Sequence, residues 1–527
     1  MKRKDFLRNV IPAAILPSVV NGHSMRVLAD NPFMASLLNA YVETDRVLVL
    51  IQLNGGNDGL NMVIPLDQYA TYFNARTNIA IPEARVLRLN GTNATGLHPA
   101  MTGLQSLYND GKLRLVQSVG YPNPNFSHFR ATDIWMSASD SNEQLTSGWT
   151  GRYLNDQYSN YPVGYPNSTM PDPLGIQIGS TTSLAFQGPS VNMGISISSA
   201  TSFYNLINGI RDPAPATPAG DALTYVRLVA QQANQFSTRI AAAAAAVPAQ
   251  GTYPTSNTLA DQLKIVARLI KGGLKTRVYM VSMGGFDNHS AQVNSTDTTT
   301  GTHATLMQRL SDAIKAFQDD LQGLGIQDRV LGMTFSEFGR RVKSNASTGT
   351  DHGAAAPLFV FGTKVNPGIT GVNPILPANA TTNDNIPMQY DFRSVYATLL
   401  SNWFCVDDVA LQTIMLRNFQ QLGICANGTC GTVTSVDDIR NSGTALITNY
   451  PNPFTNTTTI SFTTRGGHTM VQIMDVMGRV IQTPVDRDYA PGKYQVSFDS
   501  YQLPAGVYYM RLQNGFVQQV KAMLKVR

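Results

Sequence analysis

The chain has 527 residues, of which 43% are hydrophobic and 14% charged, with a formal net charge of +5. That length exceeds one ordinary domain and predicts a large core with an appendage. The charged fraction falls below the roughly 25% of an average soluble domain, and Asn, Thr, Ser and Gly take up the surface positions, as suits an exported protein. No basic block occurs, so nucleic acid is not an expected partner.

The first predicted element is an export signal over residues 1–25. MKRKDFLR is basic, and 10-VIPAAILPSVV-20 is apolar but too short to span a bilayer. Residues 3–8 (RKDFLR) resemble the twin-arginine signal, with Lys4 where a second arginine normally stands. No later window is apolar for long enough to predict a transmembrane helix.

From about 45 to 420 strands and helices alternate, inside a domain expected over 26–425. RVLVLIQL (46–53), LRLVQSV (113–119), RVYMVSM (277–283), RVLGMTF (329–335) and PLFVF (357–361) are continuous apolar runs. Such runs are expected of strands covered on both faces. Between them Leu306, Leu310, Ala313, Ile314, Phe317 and Leu321 share one helix face, and Leu259, Leu263, Val266, Leu269 and Ile270 share another. The expected fold is α/β, a mostly parallel sheet sandwiched by helices. The stretch 138–215, rich in Gly, Pro, Ser and Asn, shows little regular pattern.

Ligands of such sheets bind beyond the carboxyl ends of the strands. There the chain places 54-NGGNDG-59, 120-GYPNPNFSHFR-130, 284-GGFDNHS-290 and 336-SEFGRR-341, with 349-GTDHG-353 just before PLFVF. Three of the seven histidines, His128, His289 and His352, fall in these segments with Asp58, Asp287, Glu337 and Asp351. Imidazoles and carboxylates converging on one edge form a ligand set for zinc or manganese. Each residue alone also has a plain structural role open to it. Asp58 or Glu337 could cap a helix, Ser127 could cap the helix FRATDIWMSAS, and Arg340 could pair with Glu337.

The three cysteines, Cys405, Cys425 and Cys430, fit neither a disulfide framework nor a zinc finger. Cys425 and Cys430 flank a turn-like ANGT and could close a small loop, or all three stay free, with Cys405 buried beside Trp403 and Phe404. Residues 426–445 are polar and Gly/Thr-rich and read as a linker. From 446 to 527 short alternating strands predict a small all-β, immunoglobulin-like sandwich.

Two resemblances add to this reading. The segments NYPNPF (449–454), DVMGRVI (475–481), LPAGVYYMRL (503–512) and the closing KAMLKVR resemble the C-terminal sorting domain of type IX secretion cargo. That implies handling by the type IX machinery and a place outside the cell or anchored at the outer-membrane surface. The middle resembles domain-of-unknown-function family 1501, a sulfatase-like branch of the alkaline phosphatase superfamily. LNGGNDGLNMVIP (53–65), LHPAM (97–101), NFSHFRATDIW (125–135), GGFDNHS, SEFGRR, GTDHG and DFRSVYATLL (391–400) carry it.

The superfamily resemblance implies an alkaline-phosphatase-like fold and one or two divalent ions. Asp58 is similar to the acid after the first strand, and Ser127 to the nucleophile at a helix N-terminus. Asp287 and His289 are similar to the later Asp–His pair, and His352 to the last histidine. Glu337 takes the place of an Asp in an Asp-His-Gly motif, and Phe338 stands where its histidine is expected. A competing alignment sets Asp351 and His352 on that motif. His128 or Asp351 could supply the missing ligand, and Arg130 or Arg340 could grip the substrate's oxygens. The implied activity is hydrolysis of a small anionic ester. Phosphate is favoured, because no Cys/Ser-x-Pro-x-Arg segment of the sulfatase kind occurs. The alternative is a non-catalytic secreted or surface protein that keeps the fold.

Overall fold

A computed structural model describes residues 45–158, 161–198, 235–426, 430, 447–475, 478–514 and 517–526. The expected export signal lies outside them, as does most of the expected linker. The chain divides into one compact unit over 43–430 and another that contains residues 431–527.

The larger unit is built on a nine-stranded sheet. Its strands are β1 (Val47–Leu53), β2 (Leu113–Gly120), β3 (Gly175–Ile178), β4 (Gly194–Ile197), β5 (Val278–Met283), β6 (Val330–Phe335), β7 (Ala356–Phe361), β8 (Gly368–Thr370) and β9 (Tyr390–Asp391). Their order is β8-β2-β7-β6-β1-β5-β3-β4, with β9 also paired to β2. Every pairing is parallel except those of β7, which runs antiparallel to both β2 and β6. The expected mostly parallel α/β sheet is present.

Alternation along β1 explains the helices on both faces. Val47, Val49, Ile51 and Leu53 enter a core with α4 (Thr258–Lys271) and α5 (Thr302–Gly323), through residues such as Leu263, Leu310 and Phe317. Leu48 and Leu50 enter the opposite core with α2 (His128–Ser137), α3 (Trp149–Gln157) and α6 (Phe392–Thr398), through Ile134, Trp149 and Tyr396. A short helix, α1 (Thr102–Asn109), packs with α5. Burying each such aliphatic side chain is worth about 1.5–3 kcal/mol, so a strand apolar at every position is the stable solution. The stretch that looked patternless in sequence holds α3, β3 and β4. β3 and β4 have four residues each at one end of the sheet, too few for a periodic signal.

One cysteine expectation changes. The disulfide joins Cys405 to Cys430 with a Cα separation of 5.3 Å. Cys425 is free and buried, its backbone bridged to Val365. That bridge turns its thiol into the core, away from its sequence neighbour.

The smaller unit contains β10 (Ile447–Tyr450), β11 (Thr457–Met474), β12 (Val480–Asp499), β13 (Gly506–Asn514) and β14 (Val517–Lys525), all antiparallel. One edge of β11 pairs with β12 along its length, and the other is shared by β10 near its start and β13 near its end. The strands enclose Ile447, Phe462, Val471, Ile473, Phe498, Met510 and Leu512. This is the expected small all-β domain. No described helix is long and apolar enough to cross a membrane.

Candidate metal centre

β5, β1 and β6 are parallel neighbours, so their carboxyl ends and the loops after them lie side by side. β7 runs the other way, so the segment just before it reaches the same edge. There Gly339–Arg340 pairs antiparallel with His352–Gly353, which sets His352 opposite Arg340. The glycines after β1 permit the close approach. A Cβ on Gly55, at φ +123°, would lie 2.4 Å from the backbone nitrogen of Asp287, and one on Gly56, at φ +75°, 2.2 Å from the Phe338 ring.

Three imidazoles meet around one carboxylate. Asp287 Oδ1 lies 3.0 Å from His289 Nε2 and 3.3 Å from His352 Nε2. Asp287 Oδ2 lies 3.5 Å from His128 Nε2, and the Nε2 atoms of His289 and His352 are 2.9 Å apart. One donor atom each of His128, Asp287 and His352 fall within 4.8 Å of one another. The other ring nitrogens face outward. His128 Nδ1 meets Glu337 Oε1 at 2.8 Å, His289 Nδ1 meets Asp351 Oδ1 at 3.3 Å, and His352 Nδ1 meets the Phe126 carbonyl at 2.8 Å.

That outward bonding decides the tautomers. A carbonyl only accepts, so His352 Nδ1 carries the proton, and the carboxylates favour the same assignment for His128 and His289. In the neutral rings the Nε2 lone pairs then face one another and an ionised carboxylate. Acceptors crowded in this way are satisfied by a cation. Four of their contacts, at 2.9–3.5 Å, lie near the approximately 3.3 Å between tetrahedral ligands at zinc-like bond lengths of about 2.0 Å, and His128, Asp287 and His352 are the three whose donor atoms all gather together. The residues fit a divalent ion.

Arg340 reinforces the carboxylate. It is 1% exposed and donates from Nη2 to Asp287 Oδ1 at 2.7 Å. Burial alone would raise the Asp287 pKa, but the hydrogen bond and charge of Arg340, with the neighbouring histidines, hold it at about 2. Burial, together with the Arg340 charge, lowers the pKa of His352, against its bonds to Phe126 and Asp287. Asp351 is also lowered; burial opposes this, but Asn345 and His289 outweigh it.

The other expected residues lie as follows. Glu337 is buried and accepts from the Gly55 amide at 2.8 Å as well as from His128. Phe338 packs against the rings of His128 and His352, at centroid distances of 4.9 and 4.5 Å. Arg340 donates to the carbonyls of Gly55, Gly56, Phe286 and Thr350 besides Asp287, and its Nη1 meets His289 Nε2 at 3.4 Å, so its guanidinium ties loops together rather than opening toward a substrate. Arg130 reaches the carbonyls of Asp140, Ser141 and Glu143 in the loop after α2. Ser127 sits at the N-cap of α2, exposed, and its hydroxyl makes no capping bond.

Asp58 stands apart from the cluster. Both its oxygens accept from Arg76 Nη1, at 2.9 and 2.8 Å, and Oδ2 also accepts from Gln292 Nε2 at 2.6 Å. Burial pushes its pKa up, but the Arg76 and His303 charges and the Arg76 and Gln292 hydrogen bonds outweigh it, and the net shift is downward. Arg76 in turn donates to the carbonyls of Arg341 and Val342. Neither Arg76 nor Gln292 stands out in sequence, because neither sits at a strand end or in a glycine-rich turn. The Phe126 carbonyl that orients His352 leaves no sequence signal either, since any residue supplies one.

Residues 45–401 match a family described as a protein of unknown function (DUF1501), and residues 448–525 match a secretion system C-terminal sorting domain. The first match spans most of the chain, and the chain belongs to that family. The sorting domain marks the protein as exported, to the cell surface or beyond it. Among curated proteins no relative matches. Among solved structures, a sulfatase from Pseudoalteromonas sp. is similar at 11% identity and a TM-score of 0.31, over 89% of this chain and 87% of that one. An alkaline phosphatase superfamily protein from Vibrio parahaemolyticus is similar at 10% identity and a TM-score of 0.31, over 89% and 85%. Superpositions this loose leave the chemistry to be read from the chain's own residues.

Proposed function

We propose that this member of family 1501 is an exported hydrolase of small anionic esters, phosphate esters foremost, acting with one divalent ion at His128, Asp287 and His352, with His289 set against Asp287 and His352. The observation that carries the reading is the convergence of three imidazole Nε2 atoms on Asp287 while every Nδ1 is bonded outward. One ion rather than two is favoured by Asp58, whose oxygens are bonded to Arg76 and Gln292.

When bound, such an ion supplies positive charge to an ester oxygen and eases deprotonation of a nearby hydroxyl. The chain supplies the rest. Ser127 offers an exposed hydroxyl between Phe126, which orients His352, and the ligand His128. It is the candidate nucleophile. The first amides of the ten-residue α2, which starts at His128, with the positive end of its dipole, suit the anionic part of the substrate. Arg340 keeps Asp287 ionised and aimed.

A second reading, a non-catalytic surface protein holding one structural ion, is favoured by Phe338. Its buried ring packs against both His128 and His352, where the superfamily plan wants a ligand. Assays of phosphate and sulfate esters decide between the two. The hydrolase reading expects turnover of a phosphate ester and a loss of roughly 100-fold or more in Asp287→Asn, with little change in melting temperature because Asp287 is half exposed. A metal-bearing wild type that hydrolyses no ester supports the second reading, and full activity in Asp287→Asn contradicts the site.

A further inference from the structure

Glu337 was expected among the metal ligands, yet its surroundings give it other work. Only 3% of its side chain is exposed. Oε1 accepts from both the Gly55 amide and His128 Nδ1, each at 2.8 Å, and Oε2 faces the Ser336 hydroxyl at 3.3 Å. The donor atoms that gather within 4.8 Å belong to His128, Asp287 and His352, not to Glu337. The nitrogen that Glu337 touches is the one on the far side of the His128 ring from Asp287.

We propose that Glu337 is a positioning residue that holds the His128 ring for the ion and does not touch the ion itself. This rests on the metal-centre reading above. A carboxylate that accepts from Nδ1–H fixes the tautomer with the lone pair on Nε2, and its charge makes that lone pair more basic. The second bond to Gly55 joins the ring to the loop after β1, which itself lies against Asp287. Phe338, next in the chain, packs on the His128 ring and limits its tilt. Residues 337 and 338 therefore act on one imidazole in two ways, one by bonding its edge and the other by covering its side.

The test uses the full chain, stripped of metal with a chelator and titrated with zinc against a chromophoric competitor. Cobalt(II) loading reads the ligand set by visible absorption. Glu337→Gln keeps an acceptor for Gly55 and His128 but loses the charge. It is expected to bind one equivalent with unchanged cobalt bands and about tenfold weaker affinity, and Glu337→Ala up to about 100-fold weaker. If Glu337→Ala does not fold, Glu337→Gln carries the test. Wild-type affinity in a folded Glu337→Gln overturns the proposal, and so do altered cobalt bands, which would make Glu337 a direct ligand. A wild type that takes up neither zinc nor cobalt removes the metal-centre reading itself, a result distinct from both.

Discussion

His303 and His98 lie buried near Asn57 and Asp58, outside the candidate ligand set. Burial pushes His303 down to about 4, and burial together with the charge of His303 pushes His98 below its ordinary range, to about 3. His303 Nε2 meets Asn57 Oδ1 at 3.1 Å, and its Nδ1 has no partner. In the unfolded chain both rings take up protons near pH 6.5, and in the folded chain they do not. The unfolded state therefore binds more protons below that value, so stability falls with decreasing pH between about 6.5 and 4. For His303 the loss is about 3 kcal/mol once pH reaches 4. Unfolding followed against pH should show a shallower acid slope in His303→Gln than in wild type, and equal slopes would sink this account. At this scale the meeting of Asp287 with His289 was legible, because short spacing after a strand leaves an acid and an imidazole few places to go. The bonding of Asp58 to Arg76 and Gln292 was not legible. A carboxylate in a glycine-rich turn looks the same whether its partner is a cation or an arginine 18 positions further on.

The loops work as elements only because two of them nearly touch. Gly55 has a backbone that side chains rarely adopt and sits against the Asp287 amide, so Gly55→Ala both strains the turn and pushes the two loops apart. It should cost about 3 kcal/mol in chemical denaturation and weaken metal binding along with it. A variant with wild-type stability and affinity would show that the close approach does not matter. The five long apolar runs announced their strands, since burial on both faces leaves no other pattern. The direction of β7 could not be read from sequence, because a strand buried on both faces has the same composition either way up. That direction brings His352 to the site edge. β3 and β4 were hidden for a different reason, each being only four residues long at the end of the sheet.

At the scale of the whole molecule, every residue of the centre lies in the unit over 43–430, and the sorting domain lies in the other. The sorting domain and the candidate centre thus belong to separate compact units of one chain. A division near residue 426 was expected from sequence because composition changes abruptly there, from apolar runs to a polar Gly/Thr-rich stretch. The number of ions was not legible, since it depends on which carboxylates are already bonded to the protein itself. Asp58 is held by Arg76 and Gln292, and Glu337 by Gly55 and His128. The most direct measurement is elemental analysis of the purified full chain beside Asp287→Asn. One equivalent of zinc or another transition metal in wild type, lost in the variant, is the predicted result. Two equivalents, none, or one that survives the substitution would contradict a single centre built on Asp287.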